Sequence, residues 1–183
     1  MTTIAVFGIS GVGKTRLFSL LADRFDLAHA QASDLLKRAK EEEAGKSVST
    51  EDLRKGPVLD NQALLASSFR TFAGQQARDI LFDGHSVIDA GDKLIEIPVD
   101  VIAAIGPAAV LFLWEKPQTI AERRAADLSR RRPPRSAAEL AEHQARAEEL
   151  ALLYAQRLQV AFFRVHSEDD EECFALFERL LLK

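Results

Sequence analysis

Gly8-Ile9-Ser10-Gly11-Val12-Gly13-Lys14-Thr15 stands between the apolar run Ile4-Ala5-Val6-Phe7 and the helical pattern that begins Arg16-Leu17-Phe18. The order is a buried strand, a glycine-rich turn and a helix. Glycines at 8, 11 and 13 let backbone N–H groups approach a bound anion closely, in backbone angles that glycine adopts at little cost. The helix that follows points its partial positive end at the same anion. Lys14 adds a point charge for outer phosphates, and the Thr15 hydroxyl is a magnesium-ligand type. The stretch reads as a phosphate-binding loop, with Gly8, Ser10, Gly11, Val12, Gly13, Lys14, Thr15 and Arg16 as its contact set.

Outward from the loop, short apolar runs alternate with longer helical patterns, the order of a parallel sheet covered by helices. Strands are predicted over 3–7, 26–31, 80–83, 109–114 and 160–165, and helices over 14–25, 34–43, 61–78, 99–104, 117–128, 137–157 and 169–182. Unbroken apolarity from Ala109 to Trp114 suits a strand buried on both faces. Ser167 is a candidate cap for the last helix, with the acidic run 168–172 beside its positive end. The fold class is α/β, a three-layer P-loop fold whose sheet carries helices on both faces. At 183 residues the chain is expected to form one domain. Two stretches interrupt the alternation. Residues 33–65 hold two helical patterns joined by a polar turn and a Gly56-Pro57 break, and 129–136 contain Pro133-Pro134, which forbids regular helix.

Ile80-Leu81-Phe82-Asp83 is an apolar strand ending in a carboxylate. Beside a phosphate loop, such an acid belongs near magnesium and its waters. Thr15 and Asp83 are therefore the candidate metal ligands, and ATP with Mg2+ the expected cofactor pair. His85 follows at the same strand end, where it either orients water or substrate or hydrogen-bonds the backbone.

Six of the sixteen arginines fall between 123 and 135, in a chain whose formal net charge is −4. A solvated basic helix end, a nucleic-acid patch and a lid over nucleotide phosphates all fit that concentration. Aromatic residues that would stack bases are absent from the segment, which argues against nucleic acid. The proline break between two helices favours a lid that stabilises charge on the transferring group and excludes water. Cys173 is the only cysteine, so no intramolecular disulfide forms, and the usage suits a reducing cytoplasm. No apolar run approaches the roughly 18 residues of a membrane span. A soluble cytoplasmic protein without membrane partners is expected.

These pieces together resemble the archaeal-type adenylate kinases, a family of P-loop nucleoside monophosphate kinases, over nearly the whole chain. The resemblance is carried by the loop GISGVGKT, Asp34, Asp52-Leu53-Arg54-Lys55 with Pro57, and Asp83-x-His85. It continues through Ile97-Pro98, Gly106-Pro107, Pro117, Arg123-Arg124, Asp127, Arg130-x-Arg132, Glu142-His143-Gln144 and Tyr154. It implies an acceptor-binding cover near 31–65, a short arginine lid near 128–136, and transfer of the terminal phosphate of Mg-ATP to a nucleoside monophosphate, AMP foremost. On that resemblance Asp34, Arg54 and His85 bind the acceptor, and Lys14, Arg124, Arg130 and Arg132 face the phosphates during transfer. An oligomer is suggested by analogy alone.

The chain departs from that pattern in three places. Glu148 holds the register of an expected arginine, Asp89 stands where a basic residue is expected, and Ala32-Ser33 replaces an aromatic-glycine pair. The last bears on the acceptor base. Two other functions stay open at this point: a P-loop kinase of another small molecule, and an ATP-hydrolysing switch that acts through a partner.

Overall fold

After Thr3, the first strand has apolar side chains on both faces, which suits a central position rather than an edge. In a computed structural model describing residues 1–45, 58–91, 93–127 and 132–181, β1 (Thr3–Phe7) is buried along its whole length in the middle of a five-stranded sheet. The phosphate loop leads into α1 (Lys14–Arg24), followed by β2 (Leu27–Gln31), α2 (Ala32–Ala44), α3 (Val58–Gly74) and β3 (Asp79–Asp83). The hairpin β4 (Val87–Asp89) and β5 (Leu94–Glu96) comes next, then α4 (Val99–Ile105), β6 (Ala109–Trp114), α5 (Pro117–Ala126), α6 (Ala137–Leu158), β7 (Ala161–His166) and α7 (Asp170–Leu181).

The main sheet runs β2-β3-β1-β6-β7 and every pairing in it is parallel. Burial follows strand position. β6 is buried from Ala109 to Leu113, whereas the edge strand β2 alternates, with Ala28 and Ala30 covered and His29 exposed. The parallel register sets the C-terminal strand ends in one row: Val6 pairs Asp83, Asp83 pairs Gln31, and Trp114 pairs His166. Loops leaving that row carry the candidate site, as expected for an open α/β sheet.

The three-layer α/β arrangement and the five parallel strands agree with the sequence reading, and several boundaries differ for local reasons. Helix α3 stops at Gly74 instead of 78, because Gln75 and Gln76 donate to Phe72 and Ala73, tight three-residue turns that close the helix. Helix α2 begins at Ala32, directly from β2. The β4–β5 hairpin is a small antiparallel sheet that the sequence reading did not anticipate. Ser167 does not cap α7. Asp169 does, its carboxylate accepting from Glu172 N at 2.9 Å, while Ser167 is buried and turned toward Glu115. The 46–57 stretch, with Arg54, and 128–131, with Arg130, lie outside the described residues.

Tyr154, one of the residues that carry the family resemblance, is fully buried on α6, its ring 5.5 Å from Phe7. Its hydroxyl donates to Ile97 O and lies 3.4 Å from Ser86 O, tying α6 to the end of β5. Removing that hydroxyl leaves the partly buried Ile97 carbonyl without this donor. Tyr154→Phe should therefore lower unfolding free energy by about 1–2 kcal/mol in denaturant titration, with the slope unchanged.

Candidate phosphate-binding site

A loop that gathers N–H groups on an anion leaves its carbonyls pointing away, so each needs a donor. Gly11 (φ 91°) and Gly13 (φ 118°) both take backbone conformations that other residues rarely adopt. Lys14 begins α1 but folds back across the loop, its Nζ donating to Gly8 O at 2.5 Å. Its side chain is only 7% exposed. The ammonium also lies 3.3 Å from His85 Nε2 and 3.9 Å from Asp83 Oδ1. The charge is thus held at the loop by three groups from β1, β3 and the turn after β3.

Asp83 sits at the end of β3 with its side chain 12% exposed. Burial pushes its carboxyl up, but Lys14, His29 and His85 outweigh burial and hold it below the usual carboxylate range. Its Oδ1 is buried and accepts no hydrogen bond. Thr15, exposed at the start of α1, lines the same cleft. A buried carboxylate oxygen that accepts no hydrogen bond, with a threonine hydroxyl on the wall of the same cleft, offers oxygen ligands of the kind a divalent cation takes. Thr15 and Asp83 therefore fit magnesium.

The cleft holds about 440 Å³ and is walled by the loop, Gln31 and Ser33, Asp83 and His85, and by Arg123, Asp127 and Arg132. Arg132 reaches across it. Its Nε donates to Ser10 Oγ at 3.0 Å and its Nη2 to Asp127 at 2.5 Å, while Nη1 is buried with no acceptor. Arg124 lies behind the loop, where a Cβ on Gly11 would come within 2.8 Å of its side chain. It donates to Pro133 O, and its Nη1 also has no acceptor. Two buried guanidinium donors left unfilled beside a phosphate loop leave capacity for further anionic oxygens.

Other expected positions fall elsewhere. Arg16 leaves the cleft and forms a two-pronged pair with Asp170 at 2.8 and 2.6 Å. Asp34 is exposed in the first turn of α2, while its neighbours Gln31 and Ser33 face the cleft, hydrogen-bonded to each other at 2.7 Å. Glu148 lies on the outer side of α6, bonded to Arg164 at 2.7 Å. The turn at Glu142-His143-Gln144 is not an ordinary exposed one: His143 and Gln144 are buried. The Gln144 amide brackets the backbone of Glu115, accepting from its N–H at 3.1 Å and donating to its carbonyl at 2.9 Å.

Asp89 explains its own departure from the expected basic residue. At the end of β4 it accepts from Arg135 at 2.8 and 3.2 Å and from Gly91 N at 3.1 Å, with Arg124 at 3.7 Å. It is the anion that ties the arginine-rich segment to the β4–β5 hairpin. Sequence reading also missed Glu115, buried after β6, and Ser167 opposite it. An acid directly after an apolar strand, the same signal that marked Asp83, was available for Glu115.

A family model described as an AAA domain matches residues 7–141. No curated protein matches the chain in sequence. Among the 274 solved chains that share its fold, a shikimate kinase from Bacteroides thetaiotaomicron covers 100% of this chain with 99% of its own length, at 19% identity and a TM-score of 0.58. That likeness shows the P-loop α/β fold. Among the described residues, no helix is long and apolar enough to cross a membrane.

Burial pushes the Asp89 carboxyl up, but Arg135 and the Gly91 N–H prevail and hold it low. A carboxyl lowered on folding contributes stability that is complete above its unfolded pKa and is lost as pH falls through the folded value. At about pH 7, Asp89→Asn should melt about 2–4 °C below wild type, the equivalent of about 1 kcal/mol in a chain of this size. Scans at descending pH should show the two melting temperatures converging as the wild-type carboxylate is protonated, at a pH below the ordinary aspartate range.

Proposed function

The chain belongs to the AAA domain family, and from that premise we propose that it is an ATP-dependent phosphotransferase acting on a small molecule. The observation that carries the proposal is the set Lys14–Gly8–Asp83–His85, a buried ammonium on a phosphate loop beside a carboxylate suited to magnesium. The finer reading is a nucleoside monophosphate kinase of the adenylate type, with AMP as first acceptor.

Phosphoryl transfer asks little covalent chemistry of a protein; it needs alignment, charge neutralisation and exclusion of water. The loop N–H groups and Lys14 bind the outer phosphates. Thr15 and Asp83 hold magnesium, which neutralises phosphate charge when bound. Arg132, which reaches across the cleft with an unfilled buried donor, meets charge on the transferring group, and Arg124, packed behind Gly11, is the second arginine of this reading. Arg130 and Arg54 complete this reading as a lid residue and as the acceptor-phosphate cation. His85, 3.3 Å from the Lys14 ammonium, and Asp34, in the first turn of α2, are the further acceptor-binding residues of this reading. The 128–136 lid closes over the phosphates in this reading, in a cytoplasmic enzyme.

One observation favours a second acceptor class. Gln31 and Ser33 put polar side chains into the cleft wall at the stretch where an aromatic-glycine pair is expected. A hydroxylated acid or polyol matches that wall better than a stacked base does, and the shikimate kinase whose fold the chain shares is named for such a compound.

Purified protein with Mg-ATP and a panel of AMP, dAMP, CMP, UMP, GMP, shikimate or no acceptor, with products resolved, tests both readings. Conversion of one monophosphate to its diphosphate, with stoichiometric ADP, is the expected result. Phosphorylation of the hydroxy acid alone selects the second class. ATP hydrolysis that is equal with and without every acceptor rejects both and favours a nucleotide switch. In the same assay Lys14→Ala should lose at least about a hundredfold in turnover, the scale of a phosphate-stabilising contact. Turnover at the wild-type rate, with unchanged melting, would dismiss the phosphate-loop reading.

A further inference from the structure

A buried carboxylate beside an anion-binding loop opposes the binding of phosphates unless it is committed to a cation. Glu115 is such a group. It follows β6 directly, its side chain is 3% exposed, and its backbone is held on both sides by the Gln144 amide. Its carboxylate accepts from Ser167 Oγ at 2.6 Å and Lys116 N at 2.7 Å, and contacts His166 Nε2 at 3.1 Å. The remaining partner is Arg123, whose Nη2 lies 3.1 Å from Glu115 Oε2.

Arg123 in turn grips the loop. Its Nη1 donates to Val12 O at 2.8 Å, one of the carbonyls the loop must turn outward while its N–H groups face the anion. The same nitrogen lies where a Cβ on Gly13 would come within 3.3 Å, so the guanidinium packs against the loop's last turn. Arg123 has a second acid, Glu168 at 2.7 Å, but that side chain is 61% exposed, and an ion pair so open to solvent orients little. The chain of contacts runs from the fixed Glu115, through Arg123, to the Val12 carbonyl.

We propose that Glu115 is a positioning residue for nucleotide binding: it locks Arg123 across the outer carbonyl of the phosphate loop and so holds the loop in its anion-binding shape before the nucleotide arrives. The proposal rests on the phosphate-loop reading above, and it requires no particular acceptor. Glu115 itself touches no substrate. Its removal leaves Arg123 with the neutral Ser167 hydroxyl at 3.2 Å and the exposed Glu168, and with no buried charge to fix it, so the guanidinium is released outward and the Val12 carbonyl loses its donor.

The test measures Mg-ATP affinity of the full chain by calorimetry, beside melting temperature and acceptor kinetics. Glu115→Gln should weaken Mg-ATP binding about tenfold, the scale of one charge-assisted hydrogen bond. Acceptor KM and kcat at saturating ATP should move much less, a split that general destabilisation would not produce. Arg123→Lys keeps a cation at the cleft but cannot bridge Val12 O and Glu115, and it should show a similar loss. The double variant should bind no more weakly than either single one, because both break the same chain. Glu168→Ala should stay within about twofold of wild type, as exposed pairs do. If Glu115→Gln fails to fold, Arg123→Lys and Glu168→Ala decide by themselves: an equal loss in both, or none in Arg123→Lys, overturns the proposal. Wild-type affinity in a folded Glu115→Gln overturns it too, as does additivity in the double variant. Lys14→Ala in the same titration separates the two ideas. Lost affinity there with normal affinity in Glu115→Gln rejects this proposal alone, whereas normal affinity in both rejects the phosphate loop.

Discussion

A lysine ammonium that is almost fully covered must be compensated by its surroundings, since a bare charge in that position costs several kcal/mol. Lys14 meets that requirement with the Gly8 carbonyl, Asp83 and His85. The Gly8 carbonyl belongs to the loop itself, whereas Asp83 and His85 arrive only because β1 and β3 are adjacent, parallel and in the register that pairs Val6 with Asp83. A one-residue slip of β3 would turn Asp83 to the other face of the sheet and leave the ammonium without its carboxylate. The geometry of the loop and the order of the sheet are in this sense one constraint.

The same requirement, applied to carbonyls and arginines, organises the rest of the cleft. Basic groups near the loop are matched to acids: Arg123 to Glu115, Arg132 to Asp127 and, across 46 residues, Arg135 to Asp89. The pairs hold planar guanidinium groups at fixed angles, and in Arg124 and Arg132 they leave a buried nitrogen unfilled. Such a cleft is pre-shaped for anions and needs little rearrangement to receive one, which lowers the cost of binding. The acids subtract charge from the arginine-rich segment, so it is less positive than its composition alone implies.

What could be read from the chain was whatever the backbone itself enforces. The phosphate loop depends on glycine angles and on a strand-to-helix change, both written locally between Ile4 and Leu21. Asp83 was visible because an apolar run ended in an acid. The central strands were plain from unbroken apolarity, whereas the hairpin at Val87–Asp89 and Leu94–Glu96 was too short to show a period. The pairings of Arg123 with Glu115 and of Arg135 with Asp89 were not legible, since nothing local distinguishes a paired arginine from a solvated one. Asp89 looked like a departure from a family pattern until Arg135, 46 residues further on, was found against it. Ser167 was misjudged for a related reason: a serine before a helix is a natural cap, and only the buried Glu115 across the sheet draws it away.

The central place of β1 also bears on the order in which the protein can be made. The strand is synthesised before either of its neighbours: it pairs on one side with residues from Ile80 onward and on the other with residues from Ala109 onward. Until both partners have been synthesised, Ile4 to Phe7 is an apolar segment with open edges, and the loop after it has no fixed strand from which to turn. The sheet therefore assembles around a strand made before both its neighbours, and nucleotide can be captured only once they have been added. Contacts so distant in sequence slow folding and lengthen the time during which that segment is exposed to aggregation. A nascent chain halted before Ala109 should accordingly be a client for chaperones that bind extended apolar strands, while one carried past His166 has every strand its phosphate loop requires.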